Sequence, residues 1–149
     1  RDFLTIGSMG HSSSIALGIA LEKKERRTWC LDGDGAFLMH MGAAAVIAAA
    51  APANFCHIVL NNEAHESVGG MPTAASVVDF PALAQALGYA SARRVSSREE
   101  LAAAIAAMRE SSGPHFLEVR CAIGSRADLG RPTLSPSANK LGMMRFLDL

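Results

Sequence analysis

The chain has 149 residues, enough for one domain with its own core and too few for two ordinary ones. Hydrophobic residues make up 50% of it and charged residues 19%, and 14 Lys and Arg balance 14 Asp and Glu, so no net field draws in nucleic acid or an anionic membrane. The longest apolar stretch, 36 to 53, is rich in Ala and broken by His40 and Pro52, which argues for a buried helix over a membrane span; no cationic, apolar signal segment opens the chain.

Taken in chain order, Phe3 to Ile6 reads as a short extended segment that ends in the turn Gly7-Ser8-Met9-Gly10. Ser12 to Glu22 reads as a helix with Ser12 or Ser13 as N-cap, and the charged run 22 to 27 as a solvated connection. Thr28 to Leu31 is a predicted strand, Phe37 to Ala50 a nearly all-apolar helix, and Phe55 to Leu60 a second buried strand. Residues 61 to 79, rich in Gly, Pro, Ser and Thr, form a long loop of the kind that carries function. A helix comes next over Phe80 to Leu87 with Pro81 in its first turn, then a strand over Tyr89 to Val95 and a helix over Ser97 to Arg109 capped by Ser97. Ser111 to Pro114 is a turn, His115 to Arg120 a strand, and the tail from Gly124 is loop-like until a short helix over Asn139 to Leu147. Strand and helix alternate throughout, which implies α/β: three α/β/α layers around a mostly parallel sheet. Cys30, Cys56 and Cys121 are odd in number, lack C-x-x-C spacing and sit in apolar runs, and so read as reduced core thiols of a cytoplasmic protein.

Ligands of open parallel sheets bind at the carboxyl ends of the strands. Three loops fall there: Gly7-Ser8-Met9-Gly10, Gly33-Asp34-Gly35, and the loop that Asn61-Asn62 opens. The 25 residues from 36 to 60 suffice for one helix and one strand, so Asp34 and Asn62 can occupy neighbouring strand ends and share a cation. Carboxylate, amide and carbonyl oxygens suit Mg²⁺ or Ca²⁺, and Mg²⁺ takes few protein ligands plus phosphate oxygens. Gly35 lets the backbone approach such a ligand, and the N–H groups that open the next helix can face a phosphate. Two other readings compete for Asp34 on the residues alone. It could cap the following helix, or belong to a dinucleotide fingerprint, although Leu38 stands where the third glycine should and no acid stands about twenty residues on.

The spacing of "GDG", 25 residues and "NN" resembles the signature of the thiamine-diphosphate (ThDP) enzymes, in the domain that binds the cofactor's diphosphate. The stretches "FLTIGSMGHSSSIALGIAL", "CLDGDGAFLMHMGAAAVIAAAAPANFCHIVLNN", "SVGGMPT" and "DLGRPT" resemble the phosphonopyruvate and sulfopyruvate decarboxylases, and the likeness covers most of the chain from Asp2 to Leu149. It implies the thiamine-diphosphate-binding fold over residues 1 to 149, with Mg²⁺ held by the side chains of Asp34 and Asn62 and by the Ala64 carbonyl. It further implies that the Gly7 carbonyl, Ser8 and Met9 face the aminopyrimidine, with the Met9 side chain supporting the bent cofactor. Gly33, Asp34, Gly35 and Ala36 would meet the diphosphate, the last two through backbone N–H groups. Residues 63 to 70, including Asn62's neighbours His65, Glu66 and Ser67, would line the diphosphate and the route to the reactive carbon.

His11 and His65 lie in the site loops and are the candidates to move protons or bind a substrate anion, whereas His40 and His57 read as core. His115 has no argued role. Arg126, Arg131 and Lys140 suit either a phosphonate or sulfonate or a solvated tail. The family also needs a glutamate on a separate pyrimidine-binding domain, and no segment of this chain has the size to be that domain. With Arg1 first and no initiating Met, the expectation is a subunit of a two-chain enzyme or a fragment of a longer one, active in an oligomer only with its pyrimidine-domain partner. The reaction implied is a decarboxylation of 3-phosphonopyruvate to phosphonoacetaldehyde and CO₂. The alternatives are a sulfopyruvate decarboxylase subunit, an acetolactate-synthase-like carboligase, or a cofactor-binding module without turnover.

Overall fold

A computed structural model describes residues 1 to 148; Leu149, the last residue of the tail, lies outside the described residues. The elements are α1 (Ser12–Glu22), β1 (Thr28–Gly33), α2 (Asp34–Met39), α3 (Gly42–Ala50), β2 (Phe55–Asn61), β3 (Ala64–His65), β4 (Met71–Pro72), α4 (Phe80–Leu87), β5 (Ser91–Val95), α5 (Arg98–Glu110), β6 (His115–Arg120) and α6 (Pro136–Leu147). Strands β1, β2, β6 and β5 form one parallel sheet in that order. Parallel neighbours need long crossovers, and the helices supply them.

Alternation along each strand sends side chains to two faces. Cys30, Phe55, Val59, Ala92 and Phe116 pack with Leu17 and Ala20 of α1, Ala44 and Ile47 of α3, and Phe80 and Ala84 of α4. Cys56, Ile58, Val95 and Leu117 face the other way, onto Ala104 and Met108 of α5. The three-layer α/β/α expectation holds. Ser97 caps α5 in a reciprocal capping box with Glu100, and Asp79 caps α4 with Pro81 in its first turn. Buried Asn54 donates its amide to the carbonyls of Ala20, Lys23 and Arg26, which fixes the charged connection between α1 and β1.

Several expectations need correction. Phe3 to Ile6 joins no strand; the Leu4 carbonyl instead accepts from Asn139 of α6, whose first turn begins at Pro136. The N-cap of α1 is His11, without a side-chain cap, and neither Ser12 nor Ser13 fills that position. The predicted helix 37 to 50 is two helices, because the chain turns at His40 and Met41, where the His40 ring packs against His11 at 4.1 Å, and Gly42 lowers helix continuity. His40 is accordingly exposed and not core, whereas His57 is fully buried as expected. The loop 61 to 79 contains the β3–β4 hairpin and two short 3₁₀ turns, Glu66–Val68 and Ala74–Val77. Cys121 is exposed at the end of β6, while Cys30 and Cys56 are buried; all three are free thiols. No helix among the described residues is long and apolar enough to cross a membrane.

Candidate functional site

The parallel register sets Gly33 beside Leu60, so Asp34 and the Asn61-Asn62 pair leave neighbouring strands at the same edge of the sheet. Gly33 is extended and is itself the N-cap of α2, which has no side-chain cap. Asp34, 2% exposed, is therefore not a capping residue; its Oδ2 accepts from the Thr73 hydroxyl at 2.5 Å.

Thr73 joins two loops. Its side chain holds Asp34 and its backbone N–H donates to the Glu63 carbonyl at 3.0 Å. Between those ends lies Asn62, half-buried, whose Nδ2 donates to Glu66 Oε2 and whose Oδ1 accepts from the Ala64 N–H at 3.1 Å. These two bonds decide which end of the amide is oxygen. Ala64 pairs with Pro72, which has no N–H to give the Ala64 carbonyl. His65 lies against Gly35: a Cβ at residue 35 would stand 2.5 Å from His65 Cε1 and 2.6 Å from Nδ1, so any other residue there would force the His65 ring to move.

The third loop docks on α2. Gly7, Ser8 and Gly10 have φ values of 74°, 47° and 88°, and the Ser8 carbonyl accepts from the His11 backbone N–H at 3.1 Å. A Cβ at Gly10 would meet the Ala36 carbonyl oxygen and His40 Cδ2, each at 2.6 Å. The Met9 side chain is 39% exposed, free of the core. All three loops thus converge on the segment 34 to 40. The structure brings Gly7 to His11, Gly33 to Ala36, and Asn62 to His65 to one end of the sheet.

Ser67 is exposed in its 3₁₀ turn, and both oxygens of Glu66 accept from protein donors, Asn62 and the Gly124 N–H. Arg126, Arg131 and Lys140 are exposed on the tail, and Arg126 pairs with Asp128 at 3.3 Å. Burial pushes the Cys121 thiol up, and the Asp34 and Glu66 carboxylates push it further, which marks Cys121 as a neighbour of the acidic loops. Hard oxygen donors beside the Asp34 and Glu66 carboxylates are the chemistry that suits a small divalent cation.

A separate trio lies below, inside the core: Cys30, Asp32 and His57 offer ligand atoms within 4.8 Å of one another. His57 packs among the rings of Phe37, Phe55 and Phe116, with Nε2 3.5 Å from Asp32 Oδ2. Burial, then Asp32, raises the Cys30 thiol to about 12, so it stays protonated. Sequence reading missed Thr73 and Cys121 as neighbours of the site loops. Thr73 closes the quoted stretch "SVGGMPT", but only the fold reveals what its hydroxyl reaches.

Residues 2–119 match the family described as thiamine pyrophosphate enzyme, C-terminal TPP binding domain. The phosphonopyruvate decarboxylase of Streptomyces hygroscopicus is 40% identical over 136 residues, 91% of this chain and 34% of that protein. The sulfopyruvate decarboxylase subunit beta of Methanothermobacter thermautotrophicus is 43% identical over 89 residues, 60% of this chain and 48% of that subunit. A solved enzyme of Mycobacterium smegmatis, described as thiamin diphosphate-dependent, superposes with a TM-score of 0.66 at 23% identity, over 79% of this chain and 23% of its own; this likeness speaks for the fold alone. The chain spans about a third of the length of the phosphonopyruvate decarboxylases it matches.

Proposed function

The chain belongs to the thiamine pyrophosphate enzymes as a C-terminal TPP-binding domain, and from that premise we propose that it is the diphosphate- and Mg²⁺-binding part of a 2-oxo acid decarboxylase. The observation that supports this is that Asp34 and Asn62 leave the carboxyl ends of adjacent strands, with Thr73 bonded both to Asp34 and to the Glu63 carbonyl beside Ala64, and with His65 against Gly35. In this reading the three oxygens hold Mg²⁺, and the backbone at Gly35 and Ala36 meets the diphosphate. The turn 7 to 10 takes the aminopyrimidine, with the exposed Met9 side chain beneath it. ThDP, when bound, supplies the nucleophilic carbon and the electron sink that decarboxylation needs. His11 and His65 are the groups available to hold a proton or a substrate anion.

The substrate we propose is 3-phosphonopyruvate, yielding phosphonoacetaldehyde and CO₂, because two relatives of that name match over 91% and 92% of this chain. Sulfopyruvate is the second reading, favoured by the subunit that matches at 43% identity. A pyrimidine-binding domain or subunit completes the site, and the three free thiols suit a reducing, cytoplasmic setting. The test is CO₂ and aldehyde formation by the complete enzyme with Mg²⁺, ThDP and each of phosphonopyruvate, sulfopyruvate and pyruvate. The highest kcat/KM is expected for phosphonopyruvate. Acetolactate from pyruvate would move the assignment to a carboligase, and ThDP binding without turnover on any acid would make this a binding module.

A further inference from the structure

The geometry points to Glu118, on β6 and outside every loop of the site, as the positioning residue that sets the Asn62–Ala64 oxygens; the inference rests on the cation reading above. Glu118 is fully buried. A buried carboxylate persists only when its oxygens are matched by donors, and here each one is. Oε1 accepts from Asn61 Nδ2 at 2.7 Å and Oε2 from Arg94 Nε at 2.7 Å, with Arg120 Nη1 3.7 Å from Oε1.

Asn61 passes the constraint on. Also fully buried, it accepts the Glu63 N–H on Oδ1 at 3.1 Å, and its backbone carbonyl takes the Cys121 N–H at 3.0 Å. Glu63 stands between the two proposed oxygen donors, Asn62 and Ala64, and its φ of 59° is a left-handed conformation that a side chain adopts only when held there. Two clamps hold it: the Asn61 amide on its N–H and Arg120 Nη2 on its carboxylate at 2.6 Å. Both clamps contact Glu118. It therefore orients the Asn61 amide, the amide holds the reversal at Glu63, and the reversal aims the flanking oxygens.

The chemistry of glutamine makes the idea testable. In Glu118→Gln, if the new amide oxygen faces Asn61, its NH₂ meets the Arg94 donor. If the amide turns over, Asn61 must flip and present NH₂ to the Glu63 N–H. Either way the chain of bonds breaks while volume is conserved.

The experiment titrates Mn²⁺ into the complete enzyme with ThDP present, by calorimetry, and measures turnover against Mg²⁺ concentration. Glu118→Gln should weaken cation affinity by about tenfold or more, as losses of groups that orient metal ligands do, while kcat at saturating Mg²⁺ stays within about twofold. Arg94→Met is the comparison, since it loosens the same carboxylate without touching the Asn61 bond. Its cation affinity should stay within about threefold of the parent even if its unfolding midpoint drops. Should Glu118→Gln fail to fold, Glu118→Asp keeps the charge, shortens the reach and is read the same way. Parental cation affinity in the glutamine variant, or an equal loss in Arg94→Met, overturns the positioning role. Asp34→Ala with parental cation affinity would overturn the site reading itself, and this inference with it.

Discussion

Asp34 shows what a single residue owes to its surroundings. A carboxylate at a strand end, 2% exposed, would normally need several donors, yet Thr73 is the one side chain that donates to it among the described residues. It does not cap α2, and no cationic side chain forms an ion pair with it among the described residues. In the proposed reading, a divalent cation would supply the missing charge. Asp34→Ala should thus abolish Mg²⁺-dependent ThDP binding, a loss of about 100-fold or more, because the cation loses its one charged protein ligand. Folding should suffer little, since removing an under-compensated buried carboxylate offsets the lost Thr73 bond. Calorimetry of ThDP binding with and without Mg²⁺, beside thermal unfolding, measures both; near-parental affinity in the variant defeats the ligand assignment. Asp34 and Asn62 were legible from the sequence because their spacing fixes them to adjacent strand ends. Thr73 and Glu118 were not, because each acts through a partner 39 or 57 residues away, and such pairing is a property of the folded chain.

At the scale of elements, the strands read clearly because their apolar runs are short and bounded, and all four sheet strands fall within two residues of where the pattern sets them. The run 36 to 53 was harder. Ala and Met carry no helix-breaking signal of their own and the single Gly42 is a weak one, so the turn at His40 and Met41 becomes clear only from the packing of His40 on Gly10 and His11. The hairpin β3–β4 was hidden for a different reason: two-residue strands are too short to show a period. The docking of the 7-to-10 turn on α2 leads to a comparison of two glycines. Gly10→Ala should destabilise the protein by roughly 1–3 kcal/mol, since its φ of 88° is strained for a side chain and the new Cβ would lie 2.6 Å from the Ala36 carbonyl oxygen. Gly7→Ala carries only the conformational cost, because a Cβ there meets nothing within 4 Å. Urea unfolding of the two variants should rank Gly10→Ala as clearly the less stable; equal midpoints would mean that the turn does not seat on α2.

For the molecule as a whole, the end of the sheet that carries the three loops is bordered by uncovered apolar surface. Ile15, Met39, Met41 and Val46 are all more than a third exposed, and His11 joins Met39, Met41 and Val46 along an open groove of about 600 Å³. Contiguous apolar surface of this kind marks an interaction site, and here it adjoins the turn proposed for the aminopyrimidine. The chain also spans about a third of the decarboxylases it matches, so contacts from outside these 149 residues complete the pocket in this reading. The purified 149-residue chain should therefore bind ThDP weakly and release no CO₂ from phosphonopyruvate, while adding the remainder of the enzyme should restore turnover. With 14 basic residues against 14 acidic ones, long-range attraction contributes little to that association. In this reading apolar burial drives it, so restored activity should change little as ionic strength rises. The measurement is CO₂ release with Mg²⁺ and ThDP, first by the chain alone and then along a titration with its complement at low and high salt. Robust turnover by the chain alone would show that every group needed to activate the cofactor lies within it, and the exposed apolar border would then need another occupant.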